Sequence, residues 1–311
     1  MKLSIAIPTY NRSEILEVWL SKHAAMLNRY NVDLYISDNK STDATRQIVK
    51  EWSLLHDNIY YSSTEETLKA EYNFERCVNL ASEGWIWMVG DSYEISEETI
   101  KKVIGALECN YDYIILNLLG RVRYKQTKEV TIDIAVAELS GVISCISCVI
   151  YNLNRLEKIS LSTKDDSFYP HMINILEGIY KRAEKAIWHQ ELSVQMLELE
   201  TPRKNWANTQ SVYKIAALGW IEAIDSIKQI NKSTQLKGYK QFGKISGLFK
   251  LSGFLLLRSQ GLLDTNVLNR YKKEIKLVSN VNIYIVIAIT LIPIKILSVI
   301  FIKLGVKKIN Q

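Results

Sequence analysis

The chain has 311 residues, 48% hydrophobic and 23% charged, with 13 glycines and four prolines. That composition is globular and excludes a disordered, collagen-like or disulfide-stapled chain. The formal charge of +6 hides a split: residues 1–200 carry 21 Lys and Arg against 29 Asp and Glu, whereas residues 201–311 carry 18 against 4, a net +14.

A length of 311 residues suits one large domain or two. The charge split suggests two regions, with the basic one facing an anionic partner. A negatively charged membrane leaflet suits it better than nucleic acid, because its lysines alternate with aliphatic residues and no nucleic-acid motif is present.

The first element is Leu3 to Ile7, a short apolar run stopped by Pro8. Such a run suits a central strand buried on both faces. Thr9, Tyr10, Asn11 and Arg12 follow at its carboxyl end, the edge where open α/β sheets bind ligands. Tyr10 can stack on a base, and Asn11 and Arg12 can hydrogen-bond a base edge or a phosphate. No signal-peptide pattern precedes this strand.

A helix is expected from Ser13, as its cap, to about Leu27, then a strand from Val32 to Ile36. The polar turn Ser37-Asp-Asn-Lys-Ser-Thr-Asp43 leads into a helix from Ala44 to about Leu55. This is the βαβ pattern. Asp38 can accept hydrogen bonds from a ribose or base, or make the turn; Asp43 suits a helix cap. Next come a strand at Ile59–Ser62, a helix over residues 70–81 containing Asn73, and the apolar strand Trp85 to Val89. That strand runs into Gly90, Asp91, Ser92, Tyr93 and Glu94, and Ser96 opens a further helix. Neither GxGxxG nor GxxxxGK[ST] is present, so phosphates are not cradled in those ways.

TYNR after the first strand, SDNKSTDAT after the second and EYNFERCVNLASEGWIWMVGDS at the fourth together resemble the GT-A fold, family 2 inverting glycosyltransferases. The look is nearest to bacterial surface-polysaccharide transferases, including the abequosyltransferase-like group, and the likeness covers about residues 1–190. It implies an α/β, Rossmann-like, mixed but mostly parallel sheet with flanking helices as the catalytic domain (1–200), followed by a basic helical region (201–311). It implies donor contacts from Pro8, Thr9, Tyr10, Asn11, Arg12, Asp38, Asn73 and Asp91. Its Asp-x-Asp metal motif reads Asp91-Ser92-Tyr93 here, so a tyrosine stands where the second acid is expected. Tyrosine is a poor ligand for Mn2+ or Mg2+. Glu94 is the nearest substitute, and the metal set implied is Asp91 with Glu94. Weakened metal binding, a protein cation facing the diphosphate, or a non-catalytic partner in a polysaccharide-assembly complex all follow from this departure.

Further strands are expected at Tyr113–Asn117 and Gly141–Tyr151, and a strand or loop at Ile132–Leu139; the basic stretch Arg121 to Lys128 suits a solvated hairpin. Cys145 and Cys148 have CxxC spacing without a second pair, so buried thiols suit them better than a metal or redox pair. Inverting transfer needs one general base within reach of the acceptor hydroxyl. The resemblance points to Asp166 first, with His171 and Asp165 as alternatives, before a helix from about Met172.

Beyond the linker at Thr201–Asn205, helices are expected at Val212–Ile230, Tyr239–Leu263 and Asn266–Leu277. Asn282 to Leu304 is the most apolar stretch, interrupted by Pro293 and Lys295. A kinked helix in the inner leaflet suits it better than a full span. The expected partners are a nucleotide-sugar donor, a lipid-linked saccharide acceptor and an anionic membrane at the cytoplasmic face, with no nucleic acid; oligomer formation stays open.

Overall fold

The computed structural model describes residues 1–123, 128–156, 159–161, 167–199 and 206–303. In chain order the elements are β1 (Leu3–Thr9), α1 (Ser13–Arg29), β2 (Asp33–Asp38), α2 (Thr45–Leu55), β3 (Ile59–Ser63), α3 (Ala70–Val78), β4 (Trp85–Met88), β5 (Tyr93–Glu94) and α4 (Glu97–Ala106). They continue with β6 (Tyr113–Leu118), β7 (Lys128–Val130), α5 (Ile132–Ile134), α6 (Ser140–Ile143), β8 (Val149–Asn152), α7 (Pro170–Lys181) and β9 (Ala186–Met196). Among the described residues that follow are α8 (Trp220–Asp225), α9 (Lys232–Ser246), α10 (Leu251–Ser259), α11 (Thr265–Val278), α12 (Ile283–Leu291) and α13 (Ile294–Lys303).

The chain divides into two compact units: residues 1–132, 142–166 and 170–199, and residues 133–141, 167–169 and 200–311. The second therefore takes in two short pieces from within the first 200 residues.

In the first unit the strands run in the order β3-β2-β1-β4-β8-β6-β9-β5, with β7 also on β9. β1 pairs in parallel with both β2 and β4. β1 and β4 are covered on both faces, which is why each reads as a continuous apolar run rather than an alternation. Trp19, Trp85, Trp87 and Trp188 are fully buried, and the indole N–H of Trp87 is satisfied by the Ser147 carbonyl at 2.8 Å. The parallel pairings bring the carboxyl ends of β1, β2 and β4 to one edge, with Thr9 opposite Asp38.

Three expectations for residues 1–152 change. Ser13 does not cap α1: Arg12 holds the cap position without a side-chain bond, and the Ser13 amide donates to Asp43 instead. Residues 132–143 are helical, through a π-helical turn at Ala135–Leu139. Only Val149–Asn152 of the expected 141–151 strand is extended, and Ile146–Cys148 is a 3-10 turn. The reason for the helical run lies in packing: α9 approaches so closely that a Cβ on Gly141 would come within 2.9 Å of the Gln241 carbonyl oxygen. Tertiary burial overrides the β-branched local preference.

In the second unit, α9 packs along the π-helical turn through Gly238, where a Cβ would meet Val136. Thr234 donates to Asp133 at 2.6 Å, and Gln241 donates to the Ala137 carbonyl. The expected helix over 239–263 breaks at Gly247, whose φ of +79° ends α9 in the left-handed conformation. The 282–304 helix breaks before Pro293 into α12 and α13. No described helix is long and apolar enough to cross a membrane.

Candidate functional site

The carboxyl edge of β1, β2 and β4 gathers Thr9 to Arg12, Asp38 and Asp91. The loops after β1 and β2 are laced together. Asn11, with φ of +50°, donates its amide to Ser41 Oγ at 2.8 Å and accepts the Thr42 amide on Oδ1 at 2.7 Å. Asp43 accepts from the Ser13 amide at 2.9 Å and from the Thr45 amide at 3.0 Å, so one carboxylate caps the start of both α1 and α2. Burial alone would raise the pKa of Asp43, but the bonds from Thr45 and Ser13 hold it below the usual carboxylate range.

Asp38 is buried, and both its oxygens are used. Oδ1 accepts from the Ser41 amide at 2.9 Å and the Ser41 hydroxyl at 2.5 Å, and Oδ2 accepts from the Tyr61 hydroxyl at 2.6 Å. Burial first, and then the bond to Asp38, raise the Tyr61 phenol, so it stays a donor. Asn73 is buried beneath this turn; it accepts from Ser37 Oγ at 2.8 Å and donates to the Ser37 carbonyl at 3.1 Å. Arg76 donates to Ser37 Oγ at 2.8 Å and also to Ser62. Asn39 ties the β3–α3 connection through the Leu68 amide and carbonyl.

Pro8 is half-buried opposite Ser37, and Thr9 is buried with no hydrogen-bond partner for its Oγ1 among the described residues. Tyr10 is 46% exposed, the large aromatic ring that this edge offers to a planar ligand. Arg12 Nε lies 2.9 Å from Asp91 Oδ2, and Arg12 Nη2 donates to Ser92 Oγ at 2.8 Å.

The positions matching the metal motif do not form a cation cage. The Asp91 carboxylate is buried against Arg12, and Glu94 pairs with Lys22 at 2.9 Å. The Cys145 thiol and then burial raise the Tyr93 phenol far above its ordinary range, so it offers no anionic oxygen. Among the described residues no three His, Cys, Asp or Glu side chains come together to hold a metal ion.

On the acceptor side, Asp165 and Asp166 lie outside the described residues. His171 is buried at the start of α7, edge-on to Phe74. Its Nε2 meets the Ser144 carbonyl at 2.7 Å and must donate, which leaves the Nδ1 lone pair with no partner among the described residues. Burial pushes this imidazole down to about 4, against the smaller opposing effect of the Ser144 bond.

Sequence reasoning missed Tyr61, Arg76 and Ser92. Tyr61 had a signal: on β3 it shares a face with Ser63, which pairs with Asp38, so it lies diagonal to that acid. Arg76 had none, because its place depends on how α3 packs on β2.

Residues 4–142 match the family model "Glycosyl transferase family 2". Abequosyltransferase RfbV of Salmonella typhimurium is 32% identical over 103 residues, which is 32% of this chain and 31% of that protein. The match thus spans under a third of that curated relative. S. aureus TarS 1–349 superposes with a TM-score of 0.53 at 13% identity, over 98% of this chain and 92% of that one. Mannosyltransferase PcManGT from Pyrobaculum calidifontis, in complex with GDP-Man and Mn2+, gives a TM-score of 0.57 at 11% identity, over 93% and 87%. At these identities the likeness is one of fold. Residues 4–142 are thus similar to glycosyl transferase family 2, and the α/β fold that carries them is GT-A-like.

Proposed function

We propose that the protein is an inverting glycosyltransferase that moves a sugar from a nucleotide-sugar donor to a lipid-linked saccharide during synthesis of a bacterial cell-surface polysaccharide of the capsule or O-antigen type. The observation that carries the reading is the laced edge formed by Thr9 to Arg12, Asp38 to Asp43 and Asp91, within the stretch that matches the family model. A relative that is an abequosyltransferase and a neighbour crystallised with UDP-GlcNAc are in keeping with it.

In this reading Tyr10 stacks on the base. Asp38 acts through Ser41 and Tyr61 to fix the loop that meets the ribose and base. Direct displacement at the anomeric carbon needs a base on the face opposite the diphosphate. Asp166 takes that role, with Asp165 its neighbour in sequence. His171 is the weaker choice: a buried imidazole pushed to about 4 is a poor proton acceptor at neutral pH, and Nε2 is already donating.

The same reading places the protein at the cytoplasmic face of the membrane, attached through its second unit. Tyr284 (76% exposed) and Leu291 (70%) on α12, with Ile296 and Val299 on α13, present apolar side chains to solvent, and residues 201–311 carry 18 Lys and Arg against 4 acids. Apolar surface with basic charge suits anionic headgroups.

The test is transfer from a panel of nucleotide sugars to lipid-linked saccharide, with product anomeric configuration read by NMR. Inversion is expected, with transfer lost in Asp166→Asn while donor binding persists. Retention of configuration overturns the mechanism, and full activity in Asp166→Asn overturns the base. Donor binding should fall at least about tenfold in Asp38→Ala, the loss of two or more hydrogen bonds to a buried charge.

A further inference from the structure

We infer that Arg12, not a divalent metal ion, meets the diphosphate of the donor. The inference rests on the reading of this edge as a donor site and goes beyond it, because the residues that would hold a metal are committed elsewhere.

Three observations converge. First, the one acid left in the metal motif, Asp91, is paired with a guanidinium: Arg12 Nε stands 2.9 Å from its Oδ2. Arg12 Nη2 is fixed at the same time on Ser92 Oγ at 2.8 Å. Second, the two following candidates are spent. Tyr93 is half-buried beside Cys145, with its backbone carbonyl accepting from Trp19 Nε1 at 2.7 Å, and Glu94 is paired with Lys22. A hard cation needs several oxygen ligands, and this turn does not assemble them.

Third, the positive ends of the two helices at this edge are already neutralised. Asp43 accepts from the first amide of each of α1 and α2, so its negative charge stands against an anion at either N-terminus. Side-chain charge is the other source open to a phosphate among the described residues that border β1, β2 and α3. Lys22 is turned to Glu94, and Arg76 to Ser37 and Ser62. Lys40, exposed on the β2–α2 loop, is a flexible point charge without the fork that matches two phosphate oxygens. Arg12 has that fork. Its hydrogen bond from Nη2 to Ser92 Oγ uses one of five N–H groups, the contact with Asp91 is an ion pair, and 32% of the side chain is exposed. The Arg12–Asp91 pair is neutral as a whole, so Asp91 sets how strongly Arg12 attracts an anion.

The experiment is calorimetric binding of UDP, GDP, CDP and dTDP, and of the matching nucleosides, to the full chain with Mn2+ and again with EDTA. The expected result is that one diphosphate binds equally well in both. Arg12→Met should then weaken that diphosphate about 10- to 100-fold while leaving the nucleoside within a factor of about two, the size of a lost charge-assisted fork. Asp91→Asn should tighten diphosphate binding, because it removes the carboxylate that competes for Arg12; a metal ligand would do the reverse. Arg12→Lys keeps the charge without the fork and should fall between wild type and Arg12→Met, which guards against a simple folding defect. Binding only with Mn2+, or abolished in Asp91→Asn, overturns the inference and leaves the transferase reading standing. Binding of no diphosphate in either condition overturns the donor-site reading itself, and the inference with it.

Discussion

Acid should destabilise this protein through one buried imidazole. His171 in the folded chain holds its proton only below about pH 4, whereas an unfolded histidine takes one up near 6.5. Between those values the unfolded state binds more protons, so stability falls as the pH drops from about 6.5 towards 4 and loses nothing further from this group below that. The gap of 6.5 less 4, at about 1.4 kcal/mol per unit, amounts to about 3 kcal/mol. Burial is the cause, and the Ser144 carbonyl offsets it only in part because it needs just one N–H, which the neutral ring already supplies.

His171→Gln keeps a donor for Ser144 and removes the titration. Urea unfolding followed by fluorescence of the buried tryptophans, run on both proteins from neutral pH down to about pH 4, gives two stability curves. Other acid-sensitive groups, Asp43 among them, cancel in the difference. The variant should be less stable than wild type at neutral pH, or equal to it, and should gain about 3 kcal/mol relative to it by pH 4. Curves that stay parallel over this range refute the reasoning and mean that the folded protein accepts the proton at His171.

Other consequences are as open to measurement. Gly84 has φ of +80°, and a Cβ there would sit 2.6 Å from the Lys2 carbonyl oxygen, whereas Gly120 has φ of +62° and open space. Gly120→Ala should therefore cost about 1 kcal/mol of left-handed strain, and Gly84→Ala clearly more, by chemical denaturation. Asp43→Ala removes a cap shared by two helices and should cost about 1–2 kcal/mol at neutral pH. Because the Asp43 pKa is depressed on folding, that penalty should shrink as the pH falls below the ordinary carboxylate range. Tyr284→Ser with Leu291→Ser should reduce co-sedimentation with anionic vesicles while leaving far-UV circular dichroism unchanged, since both side chains face solvent.

The parallel strands were legible because burial on both faces leaves no polar alternation to blur them. Asp43 was legible as a cap, and Asp38 as a residue at a strand's carboxyl end. What Asp38 does there was not, because one partner, Ser41, is set by the loop's conformation and the other, Tyr61, is brought near by the β2–β3 pairing. The helical run over 132–143 was hidden by its apolar, partly β-branched composition, which suits a strand until α9 is packed against it. Pro293 was read correctly as an interruption, but the end of α9 at Gly247 was overlooked within a long amphipathic pattern. The departure at Tyr93 was visible as a missing acid, whereas the answering guanidinium at Arg12 required the fold.

The pairing of residues 133–141 with α9 also orders events in time. Ala135, Val136 and Leu139 are fully buried, and the partners of this segment, Thr234 and Gln241, lie about a hundred residues later in the chain. At roughly 5–20 residues per second of synthesis, this apolar stretch waits about 5–20 s on the ribosome before α9 exists to cover it. A nascent chain released or stalled before residue 232 exposes it without its cover, which makes this segment the natural first contact for a ribosome-associated chaperone and the first point of aggregation in truncated forms.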